Sequence, residues 1–322
     1  MSIALELIEQ STRQPDGAML EGVAYVDGAY LPANEASVPL LDWGFTRSDA
    51  FQETVSFWGG YFFRLDDHIE RFYRSAERLR MTPPTEEELR SVLHELVGRG
   101  GYSSAYIQFL MTRGVPPVGD RDVRNCVNRF RAYAIPYVWI ARPQIQERGM
   151  RLHLSDRRRI PPVSVDPRVK HYHWLDFQLG LLEAYDAGCE TVLLQDVEGN
   201  LAEGPGFNVF VVEDGKLFTP EAINVLDGMT RRTIIELAAS LQIPVAETEI
   251  SPARLASCDE VFITTTAGGV IPIASVDGME IGDGTPGPLS SRLHESYWTK
   301  RADGWLGTAL QFGGTSPDAD QE

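Results

Sequence analysis

The chain has 322 residues, 43% of them apolar, and a formal net charge of −17. That length suits two domains of roughly 150 residues each rather than one core. The acidity argues against a nucleic-acid partner, because a phosphate backbone demands a basic face. Three widely spaced cysteines, Cys126, Cys189 and Cys258, make neither a disulfide framework nor a zinc pattern. They read as buried thiols of a reducing, cytoplasmic compartment, with no metal implied. Met1 to Asp16 has no basic start or long apolar core and is not a signal peptide. No run reaches the roughly 18 apolar residues of a membrane helix, and the stretch from Gly313 to Glu322 reads as a frayed tail.

In chain order, Ala24 to Leu31 places Asp27-Gly28 between alternating residues, a hairpin signal. A strand is expected from Phe51 to Trp58, turning at Gly59-Gly60 and returning to Leu65. Alternation sends Gln52, Thr54 and Ser56 to one face of it. Asp67 and Glu70 resemble a capping box for a helix carrying Ile69, Phe72, Tyr73, Ala76 and Leu79; Thr85 opens a second helix that stops at Gly98. An extended run from Ala105 to Met111, a loop from Thr112 to Asn125 and a strand from Ala132 to Ile140 complete an α+β layer domain. We place this N-terminal domain at 1–138, an interdomain linker at 139–149 and a second domain at 150–322. The second is strand-rich (Thr191–Asp196, Phe207–Val212, Lys216–Thr219, Glu260–Thr265), with helices at Trp174–Ala187 and Thr230–Leu241 and an Asp277-Gly278 hairpin. Without strict βαβ alternation, this favours a distorted barrel over a doubly wound sheet.

Only three lysines occur, Lys170, Lys216 and Lys300. Lys216 sits in a hairpin turn and Lys300 in a polar helix, both solvated positions. Lys170 follows a proline-rich approach and precedes Tyr172 and Trp174, then a helix bearing Phe177, Leu181 and Leu182. An amine beside an apolar wall is disfavoured as the ammonium, and lysine is the group that becomes a Schiff-base nucleophile when its pKa is lowered. Three further stretches of the same half carry chemistry. Leu226-Asp227-Gly228-Met229-Thr230 opens a helix, whose free N–H groups and dipole attract anions. Thr264-Thr265-Thr266-Ala267-Gly268-Gly269 ends an apolar strand and can wrap a phosphate. Glu203 enters a turn between apolar strands, as a structural carboxylate or as the partner of a cation. Together an amine, two phosphate cradles and a carboxylate for a pyridinium meet the requirements of pyridoxal 5′-phosphate (PLP).

Gly44-Phe45-Thr46-Arg47-Ser48-Asp49, Phe63-Arg64-Leu65-Asp66-Asp67-His68-Ile69, Thr112-Arg113-Gly114 and Pro136-Tyr137-Val138-Trp139, with the stretches around Lys170, Glu203, Thr230 and Thr266, carry a resemblance. From about Val23 to Trp298 the chain resembles the class IV (fold type IV) PLP-dependent aminotransferases, most of all the (R)-selective amine transaminases and D-amino-acid aminotransferases. The resemblance implies an N-terminal α/β sandwich, a C-terminal pseudo-barrel and a homodimer with active sites at its interface. It implies Lys170 as the catalytic, cofactor-bound lysine and Glu203 as the acid at the pyridine nitrogen. Arg71, the backbone of Met229 and Thr230, and the Thr265 hydroxyl are implied at the phosphate, and Thr266 and Ala267 at the substrate.

The substrate pattern departs from the family. The places where a D-amino-acid aminotransferase carries its Arg and His clamp are here Val118 and Asp120, and the loop arginine of the (R)-amine enzymes aligns with Gly119. Arg121 and Arg124 are close by, and a mobile guanidinium there would pair with a carboxylate and swing away for an uncharged amine. Arg47, Gln52, Thr54 and Arg121 are thus the further substrate-binding candidates. The expected activity is ping-pong transamination from a primary amine or amino acid, (R)-amine or D-amino acid first, to an oxo acid such as pyruvate. A branched-chain L-amino-acid aminotransferase, an aminodeoxychorismate-lyase-like enzyme and a noncatalytic phosphate-ligand binding protein are the alternatives.

Overall fold

A computed structural model describes residues 22–311, so the expectations for the first sixteen residues and for the C-terminal tail lie outside the described residues. The chain divides into two compact units, with the boundary between Val138 and Trp139 and a return at Leu306.

The first unit is a layered α+β structure. The β1 (Val23–Val26) and β2 (Ala29–Pro32) hairpin turns through Asp27 at φ 48° and Gly28 at φ 90°. Both residues are left-handed, which matches the twist of a two-residue hairpin. A single helical turn, α1 (Trp43–Thr46), precedes β3 (Ala50–Trp58) and β4 (Tyr61–Phe63). Helices α2 (Leu65–Arg78) and α3 (Glu86–Gly100) come next, then β5 (Ser104–Thr112) and β6 (Arg129–Pro136). The strands join in the order β4-β3-β5-β6-β1-β2. Period-2 alternation divides β3 between two environments. Phe51, Val55 and Phe57 belong to an apolar core, in which the Phe51 ring packs on Phe72 of α2 at 5.0 Å and Phe72 on Phe109 at 5.1 Å. Gln52, Thr54 and Ser56 take the other face, and the Thr54 hydroxyl donates to Gln52 Oε1 at 3.2 Å.

The structure revises several boundaries. α2 begins at Leu65 behind a left-handed Arg64, and Asp67, the expected cap, instead accepts from Arg64 Nε at 2.6 Å within the first turn. Thr85 does cap α3, accepting from the Glu88 N–H at 3.2 Å. β6 stops at Pro136 rather than at Ile140, since proline has no N–H to continue a ladder. The 139–149 segment is no free linker: Ala141 is fully buried in the second unit's core and α4 (Pro143–Arg148) follows it. The 150–322 assignment also changes at its end. Gly307–Ala309 pairs antiparallel with β4 of the first unit, and Arg64 donates its N–H to the Leu306 carbonyl at 2.8 Å. The physical reason is the open ladder of a three-residue edge strand, whose polar backbone needs a partner.

The second unit is a curled sheet closed on itself. Its strands are β7 (Met150–Arg158), β8 (Thr191–Gln195), β9 (Glu203–Gly204), β10 (Phe207–Glu213), β11 (Lys216–Thr219), β12 (Val245–Glu247), β13 (Glu260–Thr265), β14 (Gly269–Val276) and β15 (Met279–Glu280). Hydrogen bonding runs β12-β11-β10-β13-β14-β7-β8. Beyond β8 the ladder continues through the Gln195–Leu201 bridge and the Ala202 N–H to Leu194 carbonyl bond of 3.0 Å into β9, which pairs with β10. That closure makes the pseudo-barrel. Val209, Val211, Val261, Ile263, Ile271 and Ile273 fill its core. Helices α5 (Leu175–Asp186), α6 (Met229–Ser240) and α7 (Pro288–Ala302) complete the unit. Among the described residues no helix is long and apolar enough to cross a membrane.

Candidate active site

Asn208 on β10 is the point at which the second unit's chemistry converges. Its register pairs it with Glu203 of β9 on one side and Thr264 of β13 on the other. Its side-chain amide donates to the Leu226 carbonyl at 2.9 Å, and the Leu226 N–H donates to Glu203 Oε2 at 2.9 Å. One neutral side chain thus ties the carboxylate, the turn that opens α6 and the end of β13 into a single cluster. Gly228 is the N-cap of α6, with no side-chain cap. The N–H groups of Met229 and Thr230 have no intrahelical acceptor, and the helix dipole adds partial positive charge there. A Cβ on Gly228 would lie 2.0 Å from Asn208 Oδ1. Gly228→Ala is therefore expected to break the Asn208–Leu226 bond and weaken cofactor affinity about tenfold, on the ~1–3 kcal/mol scale of an unsatisfied buried polar group. Spectrophotometric titration of the cofactor-free protein with PLP measures it.

Glu203 is 5% exposed. Burial pushes its carboxyl above the ordinary glutamate value, while Arg159, the Leu226 N–H and Lys170 pull it back. Arg159 stands just past β7 and reaches Glu203 Oε1 with Nε at 3.2 Å and Nη2 at 3.1 Å. Its guanidinium lies 4.0 Å above the Phe177 ring and also bonds Asp176 of α5. Lys170 is half-buried beyond a turn closed by the Val169 N–H to Asp166 carbonyl bond of 3.1 Å, and its charge acts on both Glu203 and His171. His171 accepts the His173 N–H on Nδ1 at 3.2 Å. Burial, then Arg159 and His173, bring its pKa down to about 4, so the ring is neutral at pH 7. Of the aromatic residues that follow Lys170, Trp174 and Phe177 pack on each other with ring centroids 5.5 Å apart.

At the end of β13, the Thr265 hydroxyl accepts from the Ala267 N–H at 3.2 Å, and the Ala267 carbonyl accepts from the Ile140 N–H at 2.9 Å. Ala267 therefore has both backbone groups engaged inside the unit. The neighbouring Thr264 hydroxyl is buried and has no hydrogen-bond partner among the described residues. A buried carboxyl, an uncapped helix start and a buried hydroxyl lacking a partner suit a phosphorylated pyridine.

The remaining candidates lie in the first unit. Arg71 is buried and chelates Glu53, Nε to Oε1 at 2.6 Å and Nη2 to Oε2 at 2.8 Å; His68 Nδ1 meets Oε2 at 2.8 Å. Burial favours a neutral Glu53, but Arg71 and His68 outweigh it and hold the carboxyl at about 2. Arg47 is exposed, its guanidinium 3.8 Å over the Trp43 ring. Arg124 is locked to Asp122, with Nε 2.9 Å from Oδ1, which leaves exposed Arg121 as the loop's guanidinium outside an ion pair among the described residues. On the sheet face of Gln52 and Thr54, Tyr106 bonds Thr54 and the Tyr133 hydroxyl donates to Gln108 Oε1. Arg159, Asp176 and Asn208 carry no local sequence signal of a site, and within the threonine string the sequence does not distinguish Thr264 from its neighbours. The Arg157-Arg158-Arg159 run looks like a solvated charge cluster, and only strand alternation hints that one member turns inward.

Comparison with known proteins supplies the family. The model of the amino-transferase class IV family matches residues 50–276. The chain belongs to this family. It is 33% identical over 276 residues to a putative branched-chain-amino-acid aminotransferase of Methanocaldococcus jannaschii, covering 85% of this chain and 94% of that one. It is 30% identical over 271 residues to a D-alanine aminotransferase of Bacillus licheniformis, covering 83% and 93%. The crystal structure of the branched-chain amino acid aminotransferase of Thermobaculum terrenum in its PLP form superposes with a TM-score of 0.80 at 28% identity, covering 92% of this chain and 100% of that one. The class IV aminotransferase fold is thus that of this chain, its cofactor is PLP, and it is an enzyme. Family membership retires the noncatalytic binding reading.

Proposed function

We propose that this class IV aminotransferase moves an amino group from an (R)-amine or D-amino acid to an oxo acid such as pyruvate in two half-reactions, with Lys170 as the group that carries the proton. The observation that carries the reading is the buried Glu203 carboxylate, paired with Arg159 and tied through the Leu226 N–H and Asn208 to the turn that opens α6. When bound, the cofactor supplies an aldehyde for the amino group and a ring that draws electrons from the substrate's Cα–H bond. The chain supplies the rest. The Lys170 amine takes the proton from the substrate carbon and returns it, a role that suits a half-buried base. Glu203 keeps a proton on the ring nitrogen. The N–H groups of Met229 and Thr230, with the Thr264 and Thr265 hydroxyls, hold the phosphate, and Arg71 is proposed as a further phosphate partner.

Donor choice is assigned to the first unit. The hydrogen-bonded pair Gln52–Thr54 and the amide of Gln108 are poorly suited to reading a bare aliphatic side chain, because an apolar group leaves such polar atoms unpaired. Exposed Arg47 and Arg121 offer guanidinium groups for a carboxylate. The branched-chain name of the Methanocaldococcus relative favours a second reading, L-leucine as donor. A panel of D-alanine, L-leucine and both 1-phenylethylamine enantiomers with pyruvate or 2-oxoglutarate separates them. We expect D-alanine or the (R)-amine to exceed L-leucine in kcat/KM by at least about tenfold, roughly the discrimination of ~1–3 kcal/mol in a pocket. Faster turnover of L-leucine would overturn the donor assignment. Release of pyruvate from a 4-amino-4-deoxychorismate substrate without any amino acceptor would favour the lyase. The exposed Leu175, Leu179, Leu182 and Tyr185 stripe of α5 supports a homodimer, which sedimentation velocity tests.

A further inference from the structure

Arg159 answers to two carboxylates. Nε and Nη2 both address Glu203 Oε1, while Nη1 bonds Asp176 Oδ2. Asp176 is fixed independently, because it also accepts the Ile160 N–H at 3.3 Å and the Phe177 N–H at 2.8 Å. The guanidinium is buried on the Phe177 ring, so solvent screens neither contact strongly. One cation therefore stands between two anions, and neither is fully compensated by it. We propose that Asp176 is a positioning residue that keeps Glu203 basic by competing with it for Arg159, which readies Glu203 to hold a protonated ring nitrogen.

The competition has a definite sign. If Asp176 were neutral, Arg159 would serve Glu203 alone and the carboxylate would become a weaker base. If Arg159 were neutral, Glu203 would keep its burial and lose its nearest cation, and it would become a stronger base. The other groups that bear on Glu203 are Lys170, which favours its ionised form, and the Leu226 N–H, which does the same. Neutral His171 feels Arg159, Asp176 and Lys170 in turn, so it reports on the same charges. A role confined to structure would not move Glu203 in opposite directions on removal of adjacent, mutually bonded residues.

The inference rests on the proposed role of Glu203 at the ring nitrogen, and its test separates the two. Carboxyl 13C NMR of the full-length chain, stripped of cofactor and labelled at glutamate, follows the Glu203 titration, with Glu203→Gln assigning the signal. Asp176→Asn is expected to lower the midpoint by about one unit and Arg159→Gln to raise it by one or more, the usual scale for gaining or losing an opposite charge within a few ångströms. Asp176→Glu should restore the wild-type midpoint. If Arg159→Gln does not fold, Arg159→Lys, which exchanges a two-carboxylate fork for a point charge, should move Glu203 upward less far. An unmoved midpoint in folded Asp176→Asn, or movement of both variants in one direction, would overturn the proposal. The pH profile of PLP affinity then tests the reading beneath it. Should Glu203→Gln leave that profile unchanged while the NMR midpoints shift as stated, the ring-nitrogen role fails and the competition stands.

Discussion

Lys170→Ala is expected to lower amino transfer by about 10³-fold or more, since on the proposed assignment it removes both the amine that engages the cofactor and the proton carrier, each of which contributes factors of roughly 10²–10⁴. The fold should survive. Lys170 is half-buried in a loop after a proline-rich approach, not in a core, and truncation there leaves the barrel's apolar packing intact. Affinity for PLP should fall less than activity, because the α6 start, Thr264 and Glu203 remain. The measurement is single-turnover conversion with the best donor, beside the visible spectrum of the loaded protein. Partial rescue by added methylamine would identify the lost group as an amine. Retention of more than a tenth of wild-type turnover would remove Lys170 from the chemistry, whatever the fold implies.

The second large effect concerns stability. Glu53 is fully buried between Arg71 and His68. Glu53→Ala leaves the Arg71 charge buried without its bidentate carboxylate, and breaking a buried pair from one side costs about 3–5 kcal/mol. The pH dependence has a definite sign. Glu53 is held at about 2, below its ordinary 4.5, so its contribution is present in full above 4.5 and is lost as pH falls from there toward 2. On linkage that contribution is worth about 3 kcal/mol at neutral pH. Urea midpoints of wild type and Glu53→Ala should therefore differ most above pH 5 and converge as pH falls toward 2. Equal midpoints at pH 7 would show that Arg71 finds compensation elsewhere.

Of these two residues Lys170 stands out in the sequence and Glu53 does not. Lys170 was visible because lysine is rare in an arginine-rich chain and because its neighbours are proline and aromatic. Glu203, the α6 start and the threonine string were visible as residue types suited to one cofactor, and the curled barrel followed from strands without regular helical crossovers. What escaped notice has physical causes. β7 is rich in charge and β14 contains Gly269 and Pro272, so neither shows clean apolar periodicity, while α7, expected only as a polar helix around Lys300, buries Ser290, His294 and Arg301. The cluster around Asn208 depends on strand register between residues distant in sequence, which no local pattern encodes. The sharing of Arg159 by Asp176 and Glu203 is three-dimensional in the same sense. Among the candidate arginines, local sequence could not separate Arg121 from Arg124; the difference is that only one has Asp122 within reach.

The strand Gly307–Ala309 has a consequence for biosynthesis. The first unit's sheet lacks its closing edge until Trp139–Trp305 has been made, a wait on the order of 10 s at ordinary elongation rates. During that interval β4 offers an open ladder to any passing strand. An N-terminal fragment ending at Val138 should inherit the same exposed edge permanently and be prone to association, whereas a circular permutant that joins residues 306–311 directly to the first unit should not. Completion of the N-terminal layer is thereby tied to residues that leave the ribosome only after the whole second unit has been made.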